Sequence, residues 1–215
     1  VSTPDDPLTL ALWRQQVNDL YAAVRSAPPG EGAAACARFR QARDDLFRHH
    51  PDSPLPPPRR ATFPGLRYYP YDPAWRVRGL VNGDISRRGH AVALPGGGVV
   101  EFTRVAVVRF RCPAGDASLH LYWVEGYGGG LFLPFRDGTC GRETYHAGRY
   151  LIDTAKGANL GLGNAEIVLD FNYAYNPSCA YGDRWVCPLA PPENTLRFEV
   201  PVGEKMPATG GDGPR

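Results

Sequence analysis

The sequence predicts a β-dominated α+β fold, an antiparallel β-barrel or sandwich of about eight strands preceded by two N-terminal helices. Three observations lead there. The first 50 residues repeat apolar positions every three or four, whereas the stretches after residue 60 alternate with a period of two. Glycine and proline supply 25 and 22 of the 215 residues, nearly double ordinary usage, so many turns are needed and a helical bundle is excluded. The 24 aromatic residues (Trp 4, Tyr 11, Phe 9) supply a packed core and argue against a disordered chain.

Residues 8–25 read as an amphipathic helix with Leu10, Trp13, Val17, Leu20 and Val24 on one stripe, ended by Pro28 and Pro29. Residues 33–49 give a second helix, with Ala35, Phe39, Ala42 and Leu46 on its apolar face. Its other face carries Arg38, Arg40, Arg43, Asp44, Asp45 and Arg48, expected to be solvated. PDSPLPPPRR (51–60) is a stiff connector. Strands follow over 75–81, 91–94, 99–112, 118–124, 131–135, 149–153, 167–173 and 196–200. PGGG (95–98) is the turn of a hairpin, and a bulge near 103–105 restores the alternation that Arg104 interrupts. The expected organisation is a disordered segment 1–7, a single domain 8–205 and a flexible tail 206–215.

Composition narrows the function classes. A formal net charge of +2 gives no case for nucleic acid or a membrane surface, and no apolar run approaches the roughly 20 residues of a membrane span. The excess of arginine, 22 against 2 lysines, is read as a G+C-rich codon bias of bacterial type. Residues 1–7 hold no signal-peptide stretch, so a cytoplasmic location is expected, with export by a signal already removed left open. A homodimer is left open as well. The glycines at 157, 161 and 163 precede a strand, the reverse of a dinucleotide loop. His90, His120 and His146 lack zinc-ligand spacing. No cofactor and no metal are expected.

Two segments carry the candidate chemistry. PFRDGTCGRETYHAGR (134–149) concentrates Arg136, Asp137, Glu143, Tyr145 and Arg149. DFNYAYNPSCAY (170–181) places Asp170 and Asn172 on one strand face, opposite Ile167, Leu169, Phe171 and Tyr173. An inward carboxylate needs a partner, or else Asp170 and Asn172 face water or cap a turn. Asn176-Pro177-Ser178-Cys179 has the grammar of a capped helix start, which would favour a Cys179 thiolate. Cys179 is therefore a nucleophile candidate, a disulfide partner of Cys187, or inert packing. Glu193, on the rigid loop PLAPPEN (188–194), is a general base or a hydrogen-bond anchor.

These segments resemble the bacterial and archaeal proteins grouped as domain of unknown function 1684. The resemblance rests on LFLPFRDGTCGRETYHAGRYL (131–151), LDFNYAYNPSCAY (169–181), CPLAPPEN (187–194) and VGEK (202–205). SPL (53–55) and FPGLRYYPYDPAWRV (63–77) match more loosely. Tyr175, Asn176, Cys179, Cys187, Glu193 and Asn194 also fall on its pattern, while His146 stands where glycine is expected. The resemblance implies a shared scaffold and site region and brings no reaction with it.

The leading functional expectation is a cofactor-independent enzyme acting on a small polar or anionic molecule. Glu143, Tyr145, Asp170 and Cys179 would be catalytic. Arg136, Arg149, Asn172, Tyr175, Asn176 and Glu193 would bind the ligand. The alternatives are a non-catalytic binding barrel, or a polar network that serves the fold alone.

Overall fold

The computed structural model describes residues 6–93, 99–163, 165–183 and 185–207. The expected PGGG turn, most of the segment 1–7 and most of the C-terminal tail lie outside these residues.

Helix α1 (Pro7–Arg25) begins one residue earlier than the apolar spacing suggests, at a side-chain cap followed by a proline. The Asp6 carboxylate accepts the Leu8 N–H at 2.9 Å, and Pro7 has no N–H to satisfy. Helix α2 (Gly32–His49) packs on it through Tyr21, Val24, Cys36 and Phe39. The buried stripe of α2 is Ala35, Cys36, Phe39, Arg43 and Phe47, so Arg43 faces inward rather than toward solvent, and Leu46 is only half-buried. The proline connector closes into one short helical turn, α3 (Pro57–Arg60).

Among the described residues seven strands follow: β1 (Arg76–Asn82), β2 (Gly89–Ala93), β3 (Val99–Cys112), β4 (Gly115–Val124), β5 (Gly130–Phe135), β6 (Arg149–Asp153) and β7 (Glu166–Asp170). All pairings are antiparallel, in the order β6-β5-β4-β3-β1-β7, with β2 added to β3. The sheet curls into a half-barrel and does not close. Its β6 edge is covered by a two-hydrogen-bond bridge between Tyr150 and Tyr175. Its β7 edge is met by Gly161 and Leu162.

The bulge in β3 falls between Arg104 and Ala106, close to its expected place. Beyond it Ala106, Val108 and Phe110 join Leu119, Leu121, Leu133, Ile152 and Leu169 in the main core.

Two expected strands end differently. The ladder of β7 stops at Asp170, and residues Phe171–Tyr173 form a 3-10 turn. Phe171 therefore enters the main core, while Tyr173 swings to the helices and packs on Phe39. Residues 196–200 form no strand. Apart from a bridge at Thr195 to Arg136 this segment is irregular, and it plugs the half-barrel with Leu196, Val200 and Val202.

Candidate functional site

The plug needs anchoring, because irregular backbone inside a core carries unpaired carbonyls. Arg149, at the start of β6, supplies the donors. Its guanidinium donates to the carbonyls of Val200 (2.9 Å), Val202 and Glu204 (3.3 Å), and pairs with Asp137 at 2.9 Å. Asp137 in turn accepts from the Thr139 N–H at 2.8 Å, the Thr139 hydroxyl at 2.6 Å and the Val200 N–H at 3.2 Å. Both members of this ion pair have no exposed side-chain surface.

A second buried pair lies on the helix side. Arg43 of α2 meets Glu204 at 2.8 Å, and Glu204 also accepts from the Asn176 backbone and side-chain amides at 3.3 and 3.1 Å. Burial pushes the Glu204 carboxyl up, and the Arg43 charge and the Asn176 hydrogen bonds pull it back. Asn176 does not cap a helix. The 3-10 turn Ser178–Ala180 has no side-chain cap, and the Asn176 amide serves Glu204 and the Lys205 carbonyl instead.

Asp170 sits beneath the helices rather than in the main core. It caps the 3-10 turn, accepting from the Asn172 N–H (3.1 Å) and side-chain amide (2.9 Å), and pairs with Arg76 at 3.1 Å. Burial raises its carboxyl, and Asn172 and Arg76 lower it. Asn172 completes the corner by clasping the Asp72 backbone through both N–H and C=O, at 2.9 and 2.8 Å.

Cys179 and Cys187 are free and adjacent, and the Cys179 N–H points at the Cys187 sulfur at 3.3 Å. The Tyr145 hydroxyl donates to Cys179 Sγ at 3.7 Å. The hydrogen bond between the thiols pushes Cys179 up and Cys187 down; Lys156 adds to the lowering of Cys187. The contacts favour a thiolate at Cys187 over one at Cys179, and sequence reasoning treated Cys187 only as the partner of Cys179.

The remaining candidates are dispersed. Glu143 is exposed and held by Lys205 at 3.0 Å, which lowers its carboxyl. Arg136 is exposed and tied through its backbone to Asn194 and Leu196. Tyr175 stacks edge-on against Tyr150, under the Arg43 guanidinium. Glu193 is exposed, while its neighbour Asn194 is buried and bonds to His120 and Pro134. The two candidate segments thus pack together through buried networks, and of Arg136, Glu143, Asp170 and Cys179 only Asp170 lines one of the four clefts found among the described residues. Among the described residues no cluster of three or more His, Cys, Asp or Glu could hold a metal.

A cleft rich in charge lies beside the Glu204 pair. It has a volume of about 260 Å³, a floor of Leu55, Phe63, Leu66 and Tyr181, and a rim of Arg59, Arg67 and Lys205. Glu204 is its one lining carboxylate among the described residues, and Arg43 already neutralises it. Arg59 and Arg67 make no ion pair among the described residues; Arg59 reaches only the Tyr181 carbonyl, at 3.4 Å. Sequence reasoning passed over Arg59, Arg67 and Glu204. The one available signal was that SPL, FPGLR, CAY and VGEK, four separated stretches of the resemblance, all contribute to this lining.

Fold and site together define a small α+β protein whose open half-barrel is plugged by its own C-terminal segment. The chain belongs to the family described as Protein of unknown function (DUF1684), whose model matches residues 61–205. It is also similar to the uncharacterized protein from gene locus rrnAC0354 of Haloarcula marismortui, solved by solution NMR. That match has 34% identity and a TM-score of 0.59, and covers 80% of this chain and 92% of the other. No curated protein matches the chain. No helix among the described residues is long and apolar enough to cross a membrane.

Proposed function

We propose that the protein binds a small anionic molecule in the cleft between α3, the 63–67 segment and the C-terminal strap at Glu204 and Lys205. One observation carries the reading: Arg59 and Arg67 flank an apolar floor without a carboxylate partner among the described residues, while the cleft's own acid is already neutralised. Guanidinium groups bind carboxylate or phosphate oxygens through paired hydrogen bonds, and the floor would take a short apolar portion of the ligand. Lys205 can exchange its exposed partner Glu143 for the ligand at small cost, since solvent screens an ion pair at the surface.

Binding is favoured over catalysis because the acid–base candidates are spread over separate sites. Asp170 is bonded by Asn172 and Arg76 at a separate cleft beside the helices, and Cys179 is bonded by Tyr145 and Cys187. Calorimetry and thermal melts with inorganic phosphate, malonate and benzoate test the reading. At least one of these anions should raise the melting temperature of the native chain, and R59A/R67A should abolish the effect while remaining folded. Equal stabilisation of the double variant, or no stabilisation by any of the three, would overturn the assignment.

A further inference from the structure

The sheet face turned away from the main core carries a second cluster: Phe102, Tyr122, Phe132 and Tyr150. The β3 bulge creates it. Residues directly opposite in an antiparallel pair share a face. Before the register shift Phe102 stands opposite Val124 and Arg104 opposite Tyr122; after it Ala106 stands opposite Leu121. Phe102 is thereby moved to the Tyr122 face, although Ala106 and Val108, of the same parity, point into the main core.

Over this face the chain after Cys187 lays Leu189 and Pro191. A cavity of about 220 Å³ remains, lined chiefly by His90, Phe102, Tyr122, Phe132, Leu189 and Pro191. The Phe102 and Phe132 rings stack with centroids 5.8 Å apart, and His90 meets the Tyr122 ring edge-on at 5.5 Å. Tyr122 is 2% exposed, and its hydroxyl is buried without a hydrogen-bond partner among the described residues. A buried polar group without a partner destabilises the empty pocket and favours any ligand that supplies an acceptor. Burial, with the Glu193 charge nearby, raises Tyr122 to about 12, so the hydroxyl keeps its proton and is a donor. No Asp, Glu, Lys or Arg lines the cavity among the described residues. For scale, an apolar cavity of about 150 Å³ accepts benzene.

We propose that this pocket binds a small uncharged aromatic molecule bearing one hydrogen-bond acceptor, which takes the Tyr122 hydroxyl. Ring stacking against Phe102 and Phe132 supplies the affinity and the phenol supplies the selectivity. The pocket shares no lining residue with the anion cleft, so either assignment can fail without the other.

Ligand-observed saturation-transfer NMR with acetophenone and ethylbenzene tests this. Acetophenone should bind the native chain more tightly than ethylbenzene. Tyr122→Phe should weaken acetophenone about fivefold, the worth of one neutral hydrogen bond, and leave ethylbenzene unchanged. Leu189→Trp, at a half-exposed position on the lining, should reduce binding of both without touching the core. Absence of acetophenone binding to the native chain would overturn the proposal. So would equal affinity for the two probes, or Tyr122→Phe that is folded by circular dichroism and binds acetophenone as before.

Discussion

Arg149 and Asp137 face each other at 2.9 Å with neither side chain touching solvent, and the arginine also holds the backbone of residues 200–204. The pair's weight lies in this second task. Removing one partner strands a buried charge, which costs about 3–5 kcal/mol. Arg149→Met should therefore lower unfolding free energy by that amount in urea titrations. Arg149→Lys should recover little, because one ammonium cannot reach Asp137 and three carbonyls together. A loss below 1 kcal/mol would mean that the plug is held by its apolar residues alone.

The two sulfurs invite a labelling experiment. Cys187 accepts the Cys179 N–H and shares its thiol proton, which favours the thiolate at Cys187. Iodoacetamide at pH 7, read by mass mapping, should alkylate Cys187 ahead of Cys179. Cys179→Ser keeps a hydroxyl donor and should preserve that reactivity, whereas Cys179→Ala should slow it. Faster alkylation of Cys179 would reverse the assignment.

Much of the scaffold was legible because it depends on neighbours in the chain. The prolines that end α1, the alternation of Leu119 and Leu121 in β4 and the interruption at Arg104 are local signals, and the structure follows them. The half-barrel was less legible, since alternation reports a buried face and not whether the outer strands meet. Leu196, Phe198 and Val200 alternate like a strand, but the Val200 backbone is claimed by the Arg149 and Asp137 side chains, and the Leu196 N–H and Phe198 carbonyl are taken by the backbone of Arg136 and Gly138. Arg43 looked solvated because its partner Glu204 lies 161 residues away. The charges of the candidate site could be read from the sequence. Which of them were already spoken for could not, and that distinction moves attention from Arg149 to Arg59 and Arg67.

His50 should make the protein acid-sensitive. Its ring packs edge-on against Trp13, and its Nδ1 accepts the Asp52 N–H at 3.0 Å, which requires the nitrogen to be unprotonated. Burial lowers its pKa from the ordinary 6.5, with Asp52 acting in the opposite sense. A lowered folded-state pKa means that the contribution is complete above the unfolded value and is lost as pH falls through the folded one. Melting temperature should therefore drop as pH is taken below about 6.5. His50→Asn, which keeps an acceptor and cannot titrate, should remove that part of the slope. An unchanged pH profile in His50→Asn would place the acid sensitivity elsewhere.

Gly203 should be the least replaceable glycine of the C-terminal strap. Its φ of +79° lies in the left-handed region, and a Cβ there would come within 2.6 Å of the Phe171 carbonyl oxygen and 2.8 Å of that of Ala174. Both oxygens are backbone, and the Phe171 oxygen already accepts the Ala174 N–H, so neither can withdraw cheaply. The same loop carries Val202 into the core and Glu204 to Arg43, so a shift there loosens both. Gly203→Ala should cost more than the 1–3 kcal/mol of left-handed strain alone. Gly30 supplies the control, with φ of +89° and nothing within 4 Å of a Cβ. Gly30→Ala should cost only that strain, about 1–3 kcal/mol. Urea denaturation of the two variants separates conformational strain from the clash. Equal losses would show that the strap yields to a methyl group and that its close approach to Phe171 is not what fixes it.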